Sequence, residues 1–137
     1  MTRVRVAVVG GGASCEHDVS VASARSVAGA LDPAAYDVVS LTIGRDGRWL
    51  DQRGVEIGLS AAVSVLAGVD VVFPAVHGPH GEDGTLAALC DLVGVAHVGS
   101  GLRAGALAMD KWVTKLVAGE RGIDSAAAVL VSSAWGG

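Results

Sequence analysis

Short β-branched runs alternate along this chain with stretches whose apolar residues recur every three or four positions, and glycine or proline separates most of them. Val4 to Val9 has the first pattern, which predicts a strand, and Gly10-Gly11-Gly12 follows at once as a tight turn. A helix is predicted from about Asp18 to Leu31, with Val21, Ala24, Ala28 and Leu31 as its buried stripe and Asp32-Pro33 as its stop. Val38 to Ile43 reads as a second strand. Gly44 to Leu50 reads as a turn into a short extra strand or hairpin with Trp49 packed down. Leu59 to Leu66 fits a short helix before a third main strand at Val69 to Phe73, closed by Pro74. A helix from Gly84 to Leu92 with Leu86, Leu89 and Leu92 inside, a strand at Val95 to Val98, and the turn Gly99-Ser100-Gly101 come next. Leu102, Ala106, Met109, Val113, Leu116 and Val117 predict one further helix to about Ala118, with Lys111 and Lys115 on its exposed side. Val129-Leu130-Val131 is long enough for one more strand, after which the chain stops abruptly, as if inside a larger protein.

Strands alternating with helices through glycine turns predict a doubly wound α/β fold: a mostly parallel, Rossmann-like sheet with helices on both faces and right-handed crossovers. The 137 residues suffice for one such domain. Composition narrows the class. Half the residues are hydrophobic but only 4% are aromatic, which implies a core of closely packed small side chains. Mean hydropathy is +0.52, yet Gly, Ser, Asp or Arg interrupts every candidate membrane span. Ten basic and fourteen acidic residues give a net charge of −4 without blocks, which argues against nucleic acid and membrane surfaces and for a small-molecule partner. The amino terminus reads as a strand and not as a signal peptide, so cytoplasm is the expected location. Cys15 and Cys90 offer no disulfide framework and are expected as reduced thiols.

Candidate chemistry concentrates in Val71 to Gly84, where the third main strand opens into a loop carrying His77, His80, Glu82 and Asp83 among Gly78, Gly81 and Gly84. Titratable side chains on a glycine-punctuated turn at a strand's carboxyl end match the ligand edge of an open α/β sheet. His77 follows the strand directly and is the better candidate for chemistry. His80 lies further out, and Glu82 and Asp83 are equally suited to capping the next helix. The histidine spacing fixes no tetrahedral metal geometry, so no metal site is assigned. A dinucleotide motif fails as well: the third glycine of Gly-x-Gly-x-x-Gly would fall on Cys15, and no acidic residue ends the second strand. Glu16, at the end of the first strand and the start of a helix, complements the helix dipole and stands on the same rim as His77, where a carboxylate can hold an ammonium group. His97 and Arg103 flank the later glycine turn as weaker candidates for that rim.

Several of these residues form a recognisable set. Val8 to Ser20 with Ser23-Ala24, the Phe73 to Gly84 stretch containing His77-Gly78 and Gly81-Glu82-Asp83-Gly84, Val98 to Gly101, and Ala106 to Lys111 followed by Lys115 stand in one order over most of the chain. On these segments the chain resembles the amino-terminal domain of the D-alanine:D-alanine ligases, ATP-grasp enzymes of peptidoglycan synthesis. The resemblance implies a pre-ATP-grasp domain over residues 1–122 and the start of a linker over residues 123–137. It implies ATP and Mg2+ as cofactors, D-alanine as substrate and a homodimer. It further implies that Glu16 holds the ammonium group of the first D-alanine as the catalytic and substrate-binding residue. Val19, His77 and Gly78 would line that pocket, and Lys111 would approach the nucleotide. Ala87-Ala88 and Ala96-His97 depart from the usual Gln-Gly and Pro-Tyr, which leaves the second amino acid open and keeps a dipeptide ligase of secondary metabolism as an alternative. The ATP clamp and the magnesium ligands of the family have no counterpart in this sequence, so the chain by itself is not expected to ligate. A standalone amino-acid-binding or regulatory module is the alternative from another class.

Overall fold

The structure, a computed structural model, describes residues 2–131. It consists of β1 (Val4–Gly11), α1 (His17–Ala30), β2 (Tyr36–Ile43), β3 (Trp49–Leu50), α2 (Gly58–Ala67), β4 (Val71–Pro74), α3 (Thr85–Val93), β5 (Ala96–His97), α4 (Leu102–Met109) and α5 (Lys111–Glu120). The strands form one sheet in the order β3-β2-β1-β4-β5. All pairings are parallel except β2 with β3, which closes the expected hairpin with Trp49 only 6% exposed.

Six consecutive residues of β1, from Val6 to Gly11, are buried, as a central strand covered on both faces requires. α1 packs on β1 and β2, while α2 and α3 pack against each other beyond the other face. The core joins Ala7, Val9, Leu41, Val72, Leu66 and Cys90, with Trp49 closing its edge. Each buried valine or leucine stabilises by about 1.5–3 kcal/mol, so small side chains suffice when this many interlock. Backbone approach helps: a β-carbon on Gly10 would fall 2.5 Å from Ala24 Cβ, so glycine there lets α1 lie directly on β1.

The fold differs from the sequence expectations in four places. The single helix from Leu102 to Ala118 is two, because Asp110 adopts an extended ψ of 105° and its Oδ1 accepts the N–H groups of Trp112 and Val113, starting a new helix. Thr114 Oγ1 then donates to the Leu107 carbonyl oxygen at the end of α4. Leu92 is 86% exposed, since three-residue steps from Leu86 lag the helical turn by roughly 60° each time, and Cys90 faces the sheet instead. The α1 stripe of Val21, Ala24, Ala28 and Leu31 is only half-buried, although α1 packs on β1 and β2. Val129 to Val131 forms no strand and is exposed, with Val129 and Leu130 lying beside Lys111 and Trp112 of α5. The rest of the expected linker, residues 132–137, lies outside the described residues. Among the described residues no helix is long and apolar enough to cross a membrane.

Candidate functional site

The sheet order places a topological switch between β1 and β4. From β1 the chain passes through α1 to β2 on one side, and from β4 it passes through α3 to β5 on the other. Loops leaving β1 and β4 therefore diverge, and the crevice between their carboxyl ends is where such sheets accept ligands. Val9 is in register with Pro74, so the loop carrying Glu16 and the loop carrying His77 stand side by side although 61 residues separate them along the chain.

Three serines join the two loops. Ser14 Oγ donates to the His77 carbonyl oxygen at 3.1 Å and accepts the Glu16 N–H at 3.2 Å. Ser20, fully buried in α1, donates to the Ala75 carbonyl oxygen at 2.6 Å and accepts the Gly11 N–H at 2.8 Å. Ser23 Oγ lies 3.2 Å from His77 Nε2. On the β1 side His17 Nδ1 donates to the Gly12 carbonyl oxygen at 2.7 Å, bracing the glycine turn. Spacing and residue type along the chain single out none of these serines for a role. The one signal is a polar residue, Ser20, between valines in the first turns of an amphipathic helix, and only the fold shows what it meets.

Glu16 occupies the N-cap position of α1, but its carboxylate makes no capping hydrogen bond. Asp18, one residue into α1, is engaged by Arg45 at 2.9 Å. The Glu16 carboxylate therefore stands at the rim with no partner among the described residues. It borders the histidine loop: a β-carbon built on Gly78 would sit 3.2 Å from Glu16 Oε2 and 3.1 Å from Ser14 Cβ. Gly78 also has φ +73°, so position 78 requires glycine for both backbone angle and space. Glu16, Val19, Ser20 and Ser23 follow one another at helical spacing on one face, with Val19 61% exposed beside the rim.

The two acids of the histidine loop serve its backbone. Glu82 Oε2 accepts the Gly78 N–H at 2.8 Å, and Asp83 accepts the N–H groups of His80 and Thr85, each at 2.9 Å. Burial raises the Asp83 carboxyl, but the hydrogen bonds from His80 and Thr85 and the charge of His80 outweigh it and hold the group below its ordinary value. His80 has φ +68°, a strained setting for a residue with a side chain, and the Asp83 bond helps to hold it. Neither acid caps α3 from its N-cap position, which is Gly84: Glu82 bonds within the loop, and only Asp83 reaches the first residue of the helix, Thr85.

Other candidates lie apart. An apolar cavity of about 650 Å³ opens on the α2 and α3 side, bounded by Trp49, Leu59, Leu89 and Leu102, and His80 borders it while Glu16 and His77 do not. Glu16 and His77 stand instead at the β1/β4 crevice, Glu16 bordering Gly78 and the His77 ring facing Ser23. His97 faces a smaller cavity of about 260 Å³ with Glu82 and Ser100, and its Nδ1 is 3.8 Å from Asp91. Arg103 is exposed on α4. Lys111 opens α5 beside a separate hollow that it shares with Trp112 and Lys115, whose ammonium donates to the Ala126 carbonyl oxygen. Cys15 is exposed and Cys90 buried, and both thiols are free. Among the described residues no three His, Cys, Asp or Glu side chains converge as a metal-binding group.

Against known proteins, residues 5–65 and 53–100 match the family described as D-ala D-ala ligase N-terminus. The chain is 39% identical to the D-alanine--D-alanine ligase of Mycolicibacterium smegmatis over 88% of its own length and 42% of the relative's. It is 42% identical to that of Deinococcus radiodurans over 90% of its length and 40% of the relative's. Among solved structures it is similar to the VanG D-Ala:D-Ser ligase from Enterococcus faecalis, with a TM-score of 0.78 at 30% identity over 89% of this chain and 43% of that one. The D-alanine-D-alanine ligase from Aeromonas hydrophila also gives a TM-score of 0.78, at 29% identity over 93% and 50%. The chain thus spans about two-fifths of the length of the curated relatives it matches.

Proposed function

The chain belongs to the D-alanine:D-alanine ligase amino-terminal family, and from that premise we propose that it supplies the first-substrate side of an ATP-dependent ligase joining two D-alanines through an acyl phosphate for peptidoglycan synthesis. Glu16 holds the ammonium of the first D-alanine, with His77, Gly78 and Val19 beside that substrate. The observation that carries this reading is the Glu16 carboxylate at the switch point, free of capping and bordering Gly78. A charged partner and a fixed imidazole orient a zwitterion and hold its carboxylate for reaction. Likeness to a D-Ala:D-Ser ligase keeps D-serine alongside D-alanine as the second amino acid.

Lys111, exposed at the start of α5, is the residue proposed to approach ATP. The described residues do not suit magnesium, since no acidic group converges on one point, and no step is routed through the ion. We propose a complete cytoplasmic enzyme that acts as a homodimer, with residues 1–122 as this domain and residues 123–137 as the start of a linker.

Steady-state kinetics of the complete polypeptide test the reading. Glu16→Gln should raise KM for the first D-amino acid by about ten- to a hundredfold, the worth of one charge-assisted hydrogen bond. Kinetics unchanged by that substitution would refute the placement. The reading frame separates the alternatives: continuation past Gly137 into an acidic, glycine-rich region supports the ligase, and a stop codon there supports a standalone amino-acid-binding module.

A further inference from the structure

We propose that Ser23 is a positioning residue that holds the His77 imidazole in its Nδ1–H tautomer, so that the ring offers a hydrogen-bond donor to the carboxylate of the amino acid whose ammonium Glu16 holds. The inference rests on the substrate-side reading above and adds the protonation pattern that reading needs.

Ser23 lies two turns beyond Glu16 on the same face of α1, half-buried, with its Oγ 3.2 Å from His77 Nε2. A helical serine ordinarily has a local alternative, donation to the carbonyl four residues earlier, as Ser64 donates to Ser60 at 3.1 Å. Ser23 makes no such bond to Val19, and the ring nitrogen is its partner among the described residues. A half-buried hydroxyl hydrogen needs an acceptor, and the lone pair of a neutral imidazole supplies one. Nε2 then carries no proton and Nδ1 carries it.

The ring is also held from behind. Ser14 fixes the His77 carbonyl and Ser20 the Ala75 carbonyl, so the backbone from which the imidazole projects is tied to the helix that begins at Glu16. Nδ1 itself has no partner among the described residues. An amino acid carries its ammonium and carboxylate on one carbon. Glu16 satisfies the first as an acceptor, and a bare imidazole lone pair would repel the second, whereas an N–H attracts it. An acceptor at 16 and a donor at 77 therefore match the polarity of a free amino acid.

Nitrogen-15 spectra of the histidine side chains of this 137-residue chain, recorded without ligand at a pH where the ring is neutral, test the assignment. In the wild type, His77 Nε2 should resonate as the unprotonated nitrogen and Nδ1 as the protonated one. Ser23→Ala should shift the ring toward the Nε2–H form that free histidine prefers, and Ser23→Thr should keep the wild-type signature. Alanine suits a helix interior, and backbone amide spectra check that the variant keeps its fold. A protonated Nε2 in the wild type, or identical ring signals in Ser23→Ala, would overturn the proposal. Titration of the complete polypeptide with D-alanine and with D-alaninamide probes the underlying reading separately. D-alanine should perturb the Nδ1–H signal while the amide, lacking a carboxylate, should not. If neither binds while the ring signature stands, the substrate reading fails and the Ser23 assignment holds.

Discussion

Ser20→Ala removes one oxygen atom from the centre of the molecule and should destabilise it more than the same change at Ser14, Ser23 or Ser64. The Ser20 hydroxyl is fully buried, accepts the Gly11 N–H at 2.8 Å and donates to the Ala75 carbonyl at 2.6 Å. Alanine strands both backbone groups away from water, at about 1–3 kcal/mol each. The better helix propensity of alanine returns about 0.5 kcal/mol. The expected net loss is roughly 1.5–5.5 kcal/mol, a large part of the ~5–15 kcal/mol that keeps a domain folded. At this chain length that lowers the melting temperature by roughly 5–20 °C. Urea unfolding followed by circular dichroism reads it directly: the midpoint should fall with an unchanged slope. The exposed Ser64→Ala, whose bond to Ser60 lies at the surface, serves as control and should stay within about 0.5 kcal/mol of wild type. A Ser20→Ala midpoint equal to that of the control would show that the hydroxyl does not bridge the two loops, and their rigid alignment would then need another cause.

Three further outcomes are expected. Gly10→Ala sets a methyl group 2.5 Å from Ala24 Cβ and 3.2 Å from the Ser20 carbonyl oxygen, which should cost about 1–3 kcal/mol in the same urea assay; a neutral result would mean that α1 is free to move away from β1. Asp83 has its folded pKa depressed, so its stabilisation is present above the unfolded value of about 3.9 and is lost as pH falls through the lower folded value. Asp83→Asn should therefore be less stable than wild type at pH 7, with the gap narrowing below about pH 4, and a gap that does not change with pH would contradict this sign. Burial, aided by the Asp91 charge, raises the Cys90 thiol above its ordinary value, so a thiol reagent should titrate Cys15 alone in the native chain and both cysteines after unfolding. Two thiols reacting at equal rates in the native state would count against a Cys90 packed between α3 and the sheet.

The local elements were legible because their causes are local. β-branched runs marked β1 and β2, the glycine turn after β2 marked the Trp49 hairpin, and three-to-four spacing marked α1 close to its observed bounds. Expectations failed where side-chain competition or exposure decided the outcome. Asp110 split one apolar stripe into two helices by capping the second with its own carboxylate. Leu92 turned outward because the spacing identified a helix without identifying which side meets the sheet.

At the candidate site, residue type and local pattern were enough to mark Glu16 after β1 and His77 with its glycines after β4 as candidates. Only the tertiary structure decided that these strands are neighbours, since pairing between residues as distant as Val6 and Val71 depends on sheet order and not on any local preference. It also distinguished residues of the same type. Glu82 and Asp83 bind loop N–H groups while the Glu16 carboxylate is left free, and Ser14, Ser20 and Ser23, inconspicuous along the chain, hold the histidine loop against α1. A carboxylate's chemistry is fixed by its residue type, but its availability is fixed by the donors that surround it, and those donors come from distant parts of the chain.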